Sequence, residues 1–337
     1  MNWSKKRIKI RNGEFVEAQT PVIISASRST DIPAFYADWF INRLKEGYVK
    51  WKNPFNGVSL YVSFDKARLI VFWTKNAKPI IKHLDYLDER QLDYYFQFTL
   101  NDYDTEKLEP RVPNVQARIE TFQHLSEKIG KEKMIWRFDP LILTDKIGVN
   151  ELLRKVENIG NQLKDYTNKL VFSFADIKIY KKVQNNLRSN SIPYQEFNER
   201  TMNEFSAGLQ RLNENWHFEL ATCAEQISLE KYGIVHNKCV DDDLMIKLFS
   251  NDKVLMDFLD VKITPPDMFN PNGTIEKNRN NKDIGQRQFC GCIVSKDIGE
   301  YNTCPHLCEY CYANTNKNIA LMNWKLHKQN PNNETIK

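Results

Sequence analysis

Val22-Ile-Ile-Ser-Ala-Ser-Arg-Ser-Thr-Asp-Ile-Pro33 reads as a buried strand, a short polar turn and the first turn of a helix. Five small or apolar residues of strand length, Val22–Ala26, suit a strand covered on both faces. Thr30 or Asp31 can cap the helix that follows, Pro33 fits its first turn, and Gly47 marks its end. The same order of apolar run and helical pattern recurs downstream. Strands are expected at Leu69–Trp73, Tyr94–Leu100, Met134–Phe138, Leu170–Phe174 and Phe218–Thr222, with Ser59–Phe64 joined to Leu69–Trp73 as a hairpin through Asp65-Lys66. Helices are expected between them, one with Val115, Ile119, Phe122, Leu125 and Ile129 along one face and Gly130 at its end. Another lies near Leu244–Phe249.

Strand and helix alternation of this kind favours α/β architecture with a parallel sheet. The reading is an open (β/α)6 partial TIM-type barrel over residues 1–260, with a doubly wound sheet as the alternative. In such barrels the chemistry sits at the C-terminal ends of the strands and the loops after them. Arg28 and Asp31 follow the first strand, and Arg137 and Asp139 stand at the C-terminal end of the Met134–Phe138 strand; these four are the candidate catalytic residues. Each has a plainer role open to it: Asp31 caps a helix and Asp139-Pro140 forms a turn. Arg28 is the exception, because an arginine on a short strand-end loop can fork onto a carboxylate or phosphate.

Beyond Val261 the pattern stops. Asn, Pro and Lys dominate a long irregular stretch that leads to Cys290-Gly-Cys292 and then to Cys304-Pro-His-Leu-Cys308-Glu-Tyr-Cys311-Tyr-Ala-Asn314. A stretch with so little apolar content can be held by metal in place of a core. Three thiolates spaced C-x3-C-x2-C can ligate one iron–sulfur cluster and leave one iron open. The remaining thiols, Cys223, Cys239, Cys290 and Cys292, complete a count of three plus four, which matches one open cluster and one fully ligated one. Structural zinc is the competing use of such cysteines, and buried free thiols are the plainest use of the four scattered ones. Residues 261–324 are thus read as a cysteine-rich, cluster-binding segment and 325–337 as a disordered polar tail.

Composition sets outer bounds. The chain has 337 residues, 41% hydrophobic and 27% charged, and a net charge of +5, an ordinary globular balance. No run of about 18 apolar residues occurs, so no membrane span is expected. The odd count of seven cysteines and an N-terminus without an apolar leader argue against a secreted disulfide framework. A cytoplasmic protein is expected. Nucleic acid stays open as a partner, although the scattered Lys and Arg do not argue for it.

Several segments carry a resemblance: Ile24–Pro33, Phe72-Trp-Thr-Lys-Asn76, Arg137-Phe-Asp-Pro140, Thr222-Cys-Ala-Glu225, Gln286–Cys292 and Asp297–Asn314. The chain resembles an uncharacterised bacterial family, catalogued as a domain of unknown function, whose C-terminal cysteines look like the cluster motif of radical S-adenosylmethionine (SAM) enzymes. The resemblance implies that Cys304, Cys308 and Cys311 hold a [4Fe–4S] cluster whose fourth iron binds SAM. It further implies reductive cleavage of SAM to a 5′-deoxyadenosyl radical that acts on an unknown substrate. Tyr310 would lie near the adenine, with Tyr312, Asn314 and Arg28 as further cofactor contacts, and a flavodoxin or ferredoxin would donate electrons. Cys223, Cys239, Cys290 and Cys292 resemble the ligands of an auxiliary cluster. The Cys-Tyr-Ala-Asn segment bears a loose likeness to DNA-lesion lyases. The departure is one of order: the superfamily's motif usually follows the first strand, whereas here the cysteines come last, and no Gly-Gly-Glu-like segment for the SAM amino group is present. Two other classes compete: a metal-stapled barrel that binds nucleic acid or protein, and an iron–sulfur electron carrier or sensor.

Overall fold

The computed structural model describes residues 3–337 apart from Phe55, Asp267, Phe269 and Asn272. Its centre is an eight-stranded sheet in which every pair is parallel. We number its strands β1 (Ile23–Ala26), β2 (Leu69–Thr74), β3 (Asp93–Thr99), β4 (Met134–Leu141), β5 (Lys169–Phe174), β6 (Glu219–Thr222), β7 (Ile234–His236) and β8 (Lys296–Asp297). The spatial order is β7-β6-β5-β4-β3-β2-β1-β8. Six of these strands match the expected ones closely. The two short edge strands were not anticipated, and β8 has a consequence for the site, because it brings the C-terminal segment alongside β1.

Alternation along the strands sorts their side chains onto two faces. On one, Ile24, Ile70, Phe72, Phe96, Trp136, Phe138 and Phe172 pack into the main core beneath the helices. Helices Val149–Leu163 and Glu199–Asn213 meet closely there. A Cβ on Gly208 would fall 2.3 Å from the Leu153 side chain, and one on Gly160 would fall 2.5 Å from Trp216, so both contacts depend on the missing side chain. On the other face, Ile23, Leu69, Val71, Tyr95, Ile135, Val171 and Ala221 join helices Asp242–Phe249 and Lys253–Leu259 in a second apolar cluster. One step further along the same strands this face turns polar: Gln97, Arg137 and Ser173 follow Tyr95, Ile135 and Val171.

Three expectations need correction. Ser59–Ser63 does not form a hairpin with β2; it pairs antiparallel with Tyr48–Lys52 and parallel with Phe15–Gln19 in a separate four-stranded sheet. The first helix is two pieces, Ile32–Phe35 and Ala37–Glu46, although Asp31 caps the start and Gly47 ends the second piece with φ 84° as read. The polar tail is ordered. Helix Lys317–Gln329 runs through its start, Ile336 is buried, Trp39 Nε1 donates to the Asn333 carbonyl at 2.9 Å and Lys50 N to that of Glu334 at 2.9 Å. Short polar residues hide such docking, because backbone carbonyls supply most of it. The long stretch after Val261 also holds an antiparallel hairpin, Val261–Thr264 with Thr274–Lys277. No helix among the described residues is long and apolar enough to cross a membrane.

Candidate functional site

A cavity of about 470 Å³ opens beside the C-terminal ends of the strands, and all seven cysteines line it. Four of them arrive from separate parts of the chain. Cys223 follows β6, Cys239 follows β7, and Cys290 and Cys292 come from the irregular segment before β8. The structure brings these four together. Cys223 and Cys239 place their sulfurs 3.6 Å apart, and the Cys292 sulfur accepts from the Cys239 and Val240 amides at 3.2 and 3.4 Å. Strand residues fix the turn that carries Cys239: Tyr95 Oη and Gln97 Nε2 donate to its carbonyl at 2.8 and 2.9 Å, and Arg137 Nη1 to its sulfur at 2.9 Å. Gly291 belongs to the same packing, since a Cβ there would come within 2.9 Å of Lys238.

Cys304, Cys308 and Cys311 occupy the other side of the cavity, on a segment of turns just after β8. Asp297, on β8, ties that segment to the first loop by accepting from Ser27 Oγ at 2.7 Å, Arg28 N at 2.8 Å and Gly299 N at 2.9 Å. Gly299 must be glycine for the approach, because a Cβ would sit 2.0 Å from Ser27 Oγ. Asn314 closes the loop by donating to the Cys304 carbonyl at 2.8 Å, and its backbone N reaches the Cys311 sulfur at 3.4 Å. A cysteine motif at the end of the sequence thereby stands next to the first strand in space.

The candidate catalytic residues divide by how fully they are engaged. Asp31 lines the cavity, but donors occupy both its oxygens: Ala34 N at 3.0 Å, Thr74 Oγ1 at 2.8 Å, Lys75 N at 2.7 Å and His306 Nε2 at 2.9 Å. It positions two loops and the histidine between Cys304 and Cys308. Asp139 is held by Arg137 and Ser173. Arg28 and Arg137 flank the ring of Trp73 at 5.3 and 5.4 Å. Burial opposes both charges, yet Cys292 and Asp297 beside Arg28, and Cys239 and Asp139 beside Arg137, raise them above the usual arginine value. Both remain cations. The Nη2 of Arg28 and the Nε1 of Trp73 are buried without a hydrogen-bond partner among the described residues.

Tyr310, Tyr312 and Asn314, expected near a cofactor, have different fates. Tyr310 is locked into a buried network: its Oη donates to Glu109 and accepts from Lys75 Nζ at 2.9 Å and Asn101 Nδ2 at 3.0 Å. Glu109 pairs with Lys75 at 2.7 Å and Arg118 at 3.2 Å. Burial disfavours its charge, but those two cations draw the carboxyl down to about 2. Tyr312 is exposed at the cavity rim and donates to the Arg28 carbonyl at 2.9 Å. Asn314 is a loop clamp. Glu109, His306, Trp73 and Asp297 were not singled out as site residues from the sequence; His306, Trp73 and Asp297 stood inside the segments that carry the family resemblance, whereas Glu109 had no such signal.

The thiols are poised as a proton-bearing donor set. Burial pushes Cys304 up to about 12 and raises Cys308 and Cys311. In the other group a hydrogen bond to Cys292 draws Cys290 down to about 7. Metal ligation of either group would therefore release protons. Asp241, Asp242 and Asp243 also lie close together, but Lys238, Lys277 and Lys169 neutralise them and Asp241 caps a helix.

Over residues 23–313 the sequence matches the family described as Domain of unknown function (DUF1848), and the chain belongs to that family. No curated protein matches it. Among solved structures, a protein of Bacteroides thetaiotaomicron named provisionally as an alpha-L-fucosidase aligns with 8% identity and a TM-score of 0.28, over 65% of this chain and 87% of that one. A likeness at that score carries no argument.

Proposed function

We propose that this protein is an iron–sulfur enzyme of the radical SAM type, with Cys304, Cys308 and Cys311 holding an open [4Fe–4S] cluster. Cys223, Cys239, Cys290 and Cys292 would hold a second centre. The observation that carries the reading is the lining of one strand-end cavity by all seven thiols, three from a local motif and four from distant segments. Buried structural thiols have no reason to converge on one cavity. The motif also follows β8, the neighbour of β1, which reconciles its late position in sequence with a place beside the first strand.

The sulfur spacing matches a closed zinc site at one edge only. One tetrahedral zinc, with Zn–S bonds of about 2.3 Å, holds all its thiolates about 3.8 Å apart. Cys223 and Cys239 form one such edge, but among the described residues no three of the seven sulfurs lie within 4.8 Å of one another. We read the sheet as the wall of an incomplete TIM-type barrel, supported by its polar strand ends on one face and by the hydrogen bond of 3.0 Å from Ile293 N to the Val240 carbonyl, which joins the segments after β7 and before β8. When bound, the cluster and SAM would supply the electron transfer that releases a 5′-deoxyadenosyl radical. The chain's own residues bind, orient and shield: Asp31 and His306 position the motif, Glu109 and Lys75 hold Tyr310 against it, and Arg28 and Arg137 offset thiolate charge. Protein reconstituted anaerobically with iron and sulfide should hold two clusters, and Cys304→Ala should lose one and keep the other. Stoichiometric zinc without sulfide in protein made under iron-replete anaerobic conditions would overturn the proposal.

A further inference from the structure

Two exposed tyrosines stand across the cavity mouth from each other. Tyr180 precedes helix Lys181–Ser189 and Tyr312 follows Cys311; both line the cavity, 38% and 46% exposed, with ring centroids 6.2 Å apart and planes 36° from parallel. Tyr312 is held from behind, by its hydroxyl bond to the Arg28 carbonyl and by the edge of Tyr301 at 6.4 Å. A pair of this separation in a core would be ordinary packing. On the rim of a cavity, with both rings partly exposed, it can act as a slot: opened from 6.2 Å to about 7 Å, about twice the rise of about 3.4 Å per nucleotide along a strand, it admits one planar ring.

The charges behind the slot have a sign. Arg137 is answered by Asp139 and Lys75 by Glu109, and Asp297 sits beside Arg28, yet the buried Nη2 of Arg28 has no hydrogen-bond partner among the described residues, and Arg287 donates to the Cys223 carbonyl at 3.3 Å. Both arginines line the cavity. A planar ring bearing an anion would engage the ring slot and offer acceptors to both arginines together. We propose that the substrate carries a nucleobase with an adjacent phosphate, the base stacking between Tyr180 and Tyr312 and the phosphate meeting Arg28 and Arg287. The inference rests on the reading of this cavity as the reaction site and names its substrate class.

The test is binding without SAM or reductant, so that failure of SAM cleavage and failure of this proposal are separate results. Reconstituted full-length protein is titrated with a labelled single strand of about ten nucleotides, within the span of one such groove, and with adenosine monophosphate. Saturable binding is expected, weakened about five-fold to about a hundred-fold by Tyr180→Ala, the loss typical of one base–aromatic stack, and kept by Tyr180→Phe. Arg287→Gln should flatten the salt dependence. Tighter binding of the strand than of the mononucleotide identifies nucleic acid as the source of the base, and equal binding identifies a free nucleotide. Absence of binding by both probes, equal losses for the Phe and Ala variants, or one-for-one displacement by SAM would overturn the proposal, the last by assigning the slot to the cofactor.

Discussion

Glu109→Gln tests the network that seats the cysteine motif. The carboxylate is fully buried, paired with Lys75 and Arg118, and accepts from Tyr310 and from Asn101 Nδ2 at 3.1 Å. Removing its charge leaves the largely buried Lys75 without its carboxylate and Arg118 with Asp104 at 3.4 Å, a change that costs about 3–5 kcal/mol at comparable sites. The pKa route gives the same size. A fall from 4.5 to about 2 at about 1.4 kcal/mol per unit is about 3 kcal/mol. Because the folded value is the lower one, this stability is present above pH 4.5 and is lost as pH falls from 4.5 toward 2. Urea unfolding of metal-free protein should therefore show the variant about 3 kcal/mol less stable at pH 7, with the gap closing at the acid end. A loss below about 1 kcal/mol at pH 7, or a gap that stays constant down to pH 2, would refute the reasoning.

Other substitutions probe the same frame. Gly299→Ala should destabilise by about 1–3 kcal/mol, because its Cβ would collide with Ser27 Oγ; an unchanged urea midpoint would show that the first loop yields freely. Arg137→Gln should lower metal retention by the Cys223, Cys239, Cys290 and Cys292 group while the Cys304 group keeps its iron, measured as iron and sulfide per chain; equal loss from both would contradict its placement beside Cys239 and Cys223. Deleting Pro331–Lys337 should cost about 2–5 kcal/mol, through the exposure of the Ile336 pocket and an orphaned Trp39 Nε1, and a melting curve like that of the whole chain would show the tail to be passive.

Local signals were legible where local forces decide. Asp31 and Gly47 bound their helices as read, since caps are settled by neighbours in sequence. The six longer strands of the sheet were visible because their apolar runs are buried on both faces. Partner choice was not visible: Ser59–Ser63 has the same β-rich look whether it pairs with β2 or with Tyr48–Lys52, and two residues of β8 carry no pattern at all. The site shows the same split. Thiol identity and spacing announced themselves, whereas Glu109 lies in an unremarkable acidic loop and becomes important only when Arg118, Lys75 and Tyr310 converge on it. Likewise, Asp31 looked available for catalysis, and only three dimensions show its oxygens taken by four donors.

The central claim is that the Cys304, Cys308 and Cys311 group supports an open cluster that uses SAM. The direct measurement is anaerobic incubation of reconstituted protein with SAM and dithionite, with 5′-deoxyadenosine and methionine quantified by chromatography. The account predicts slow formation of both products by the wild-type protein and none by Cys308→Ala. Fully reconstituted wild-type protein that neither changes its cluster spectrum on adding SAM nor forms 5′-deoxyadenosine would contradict it.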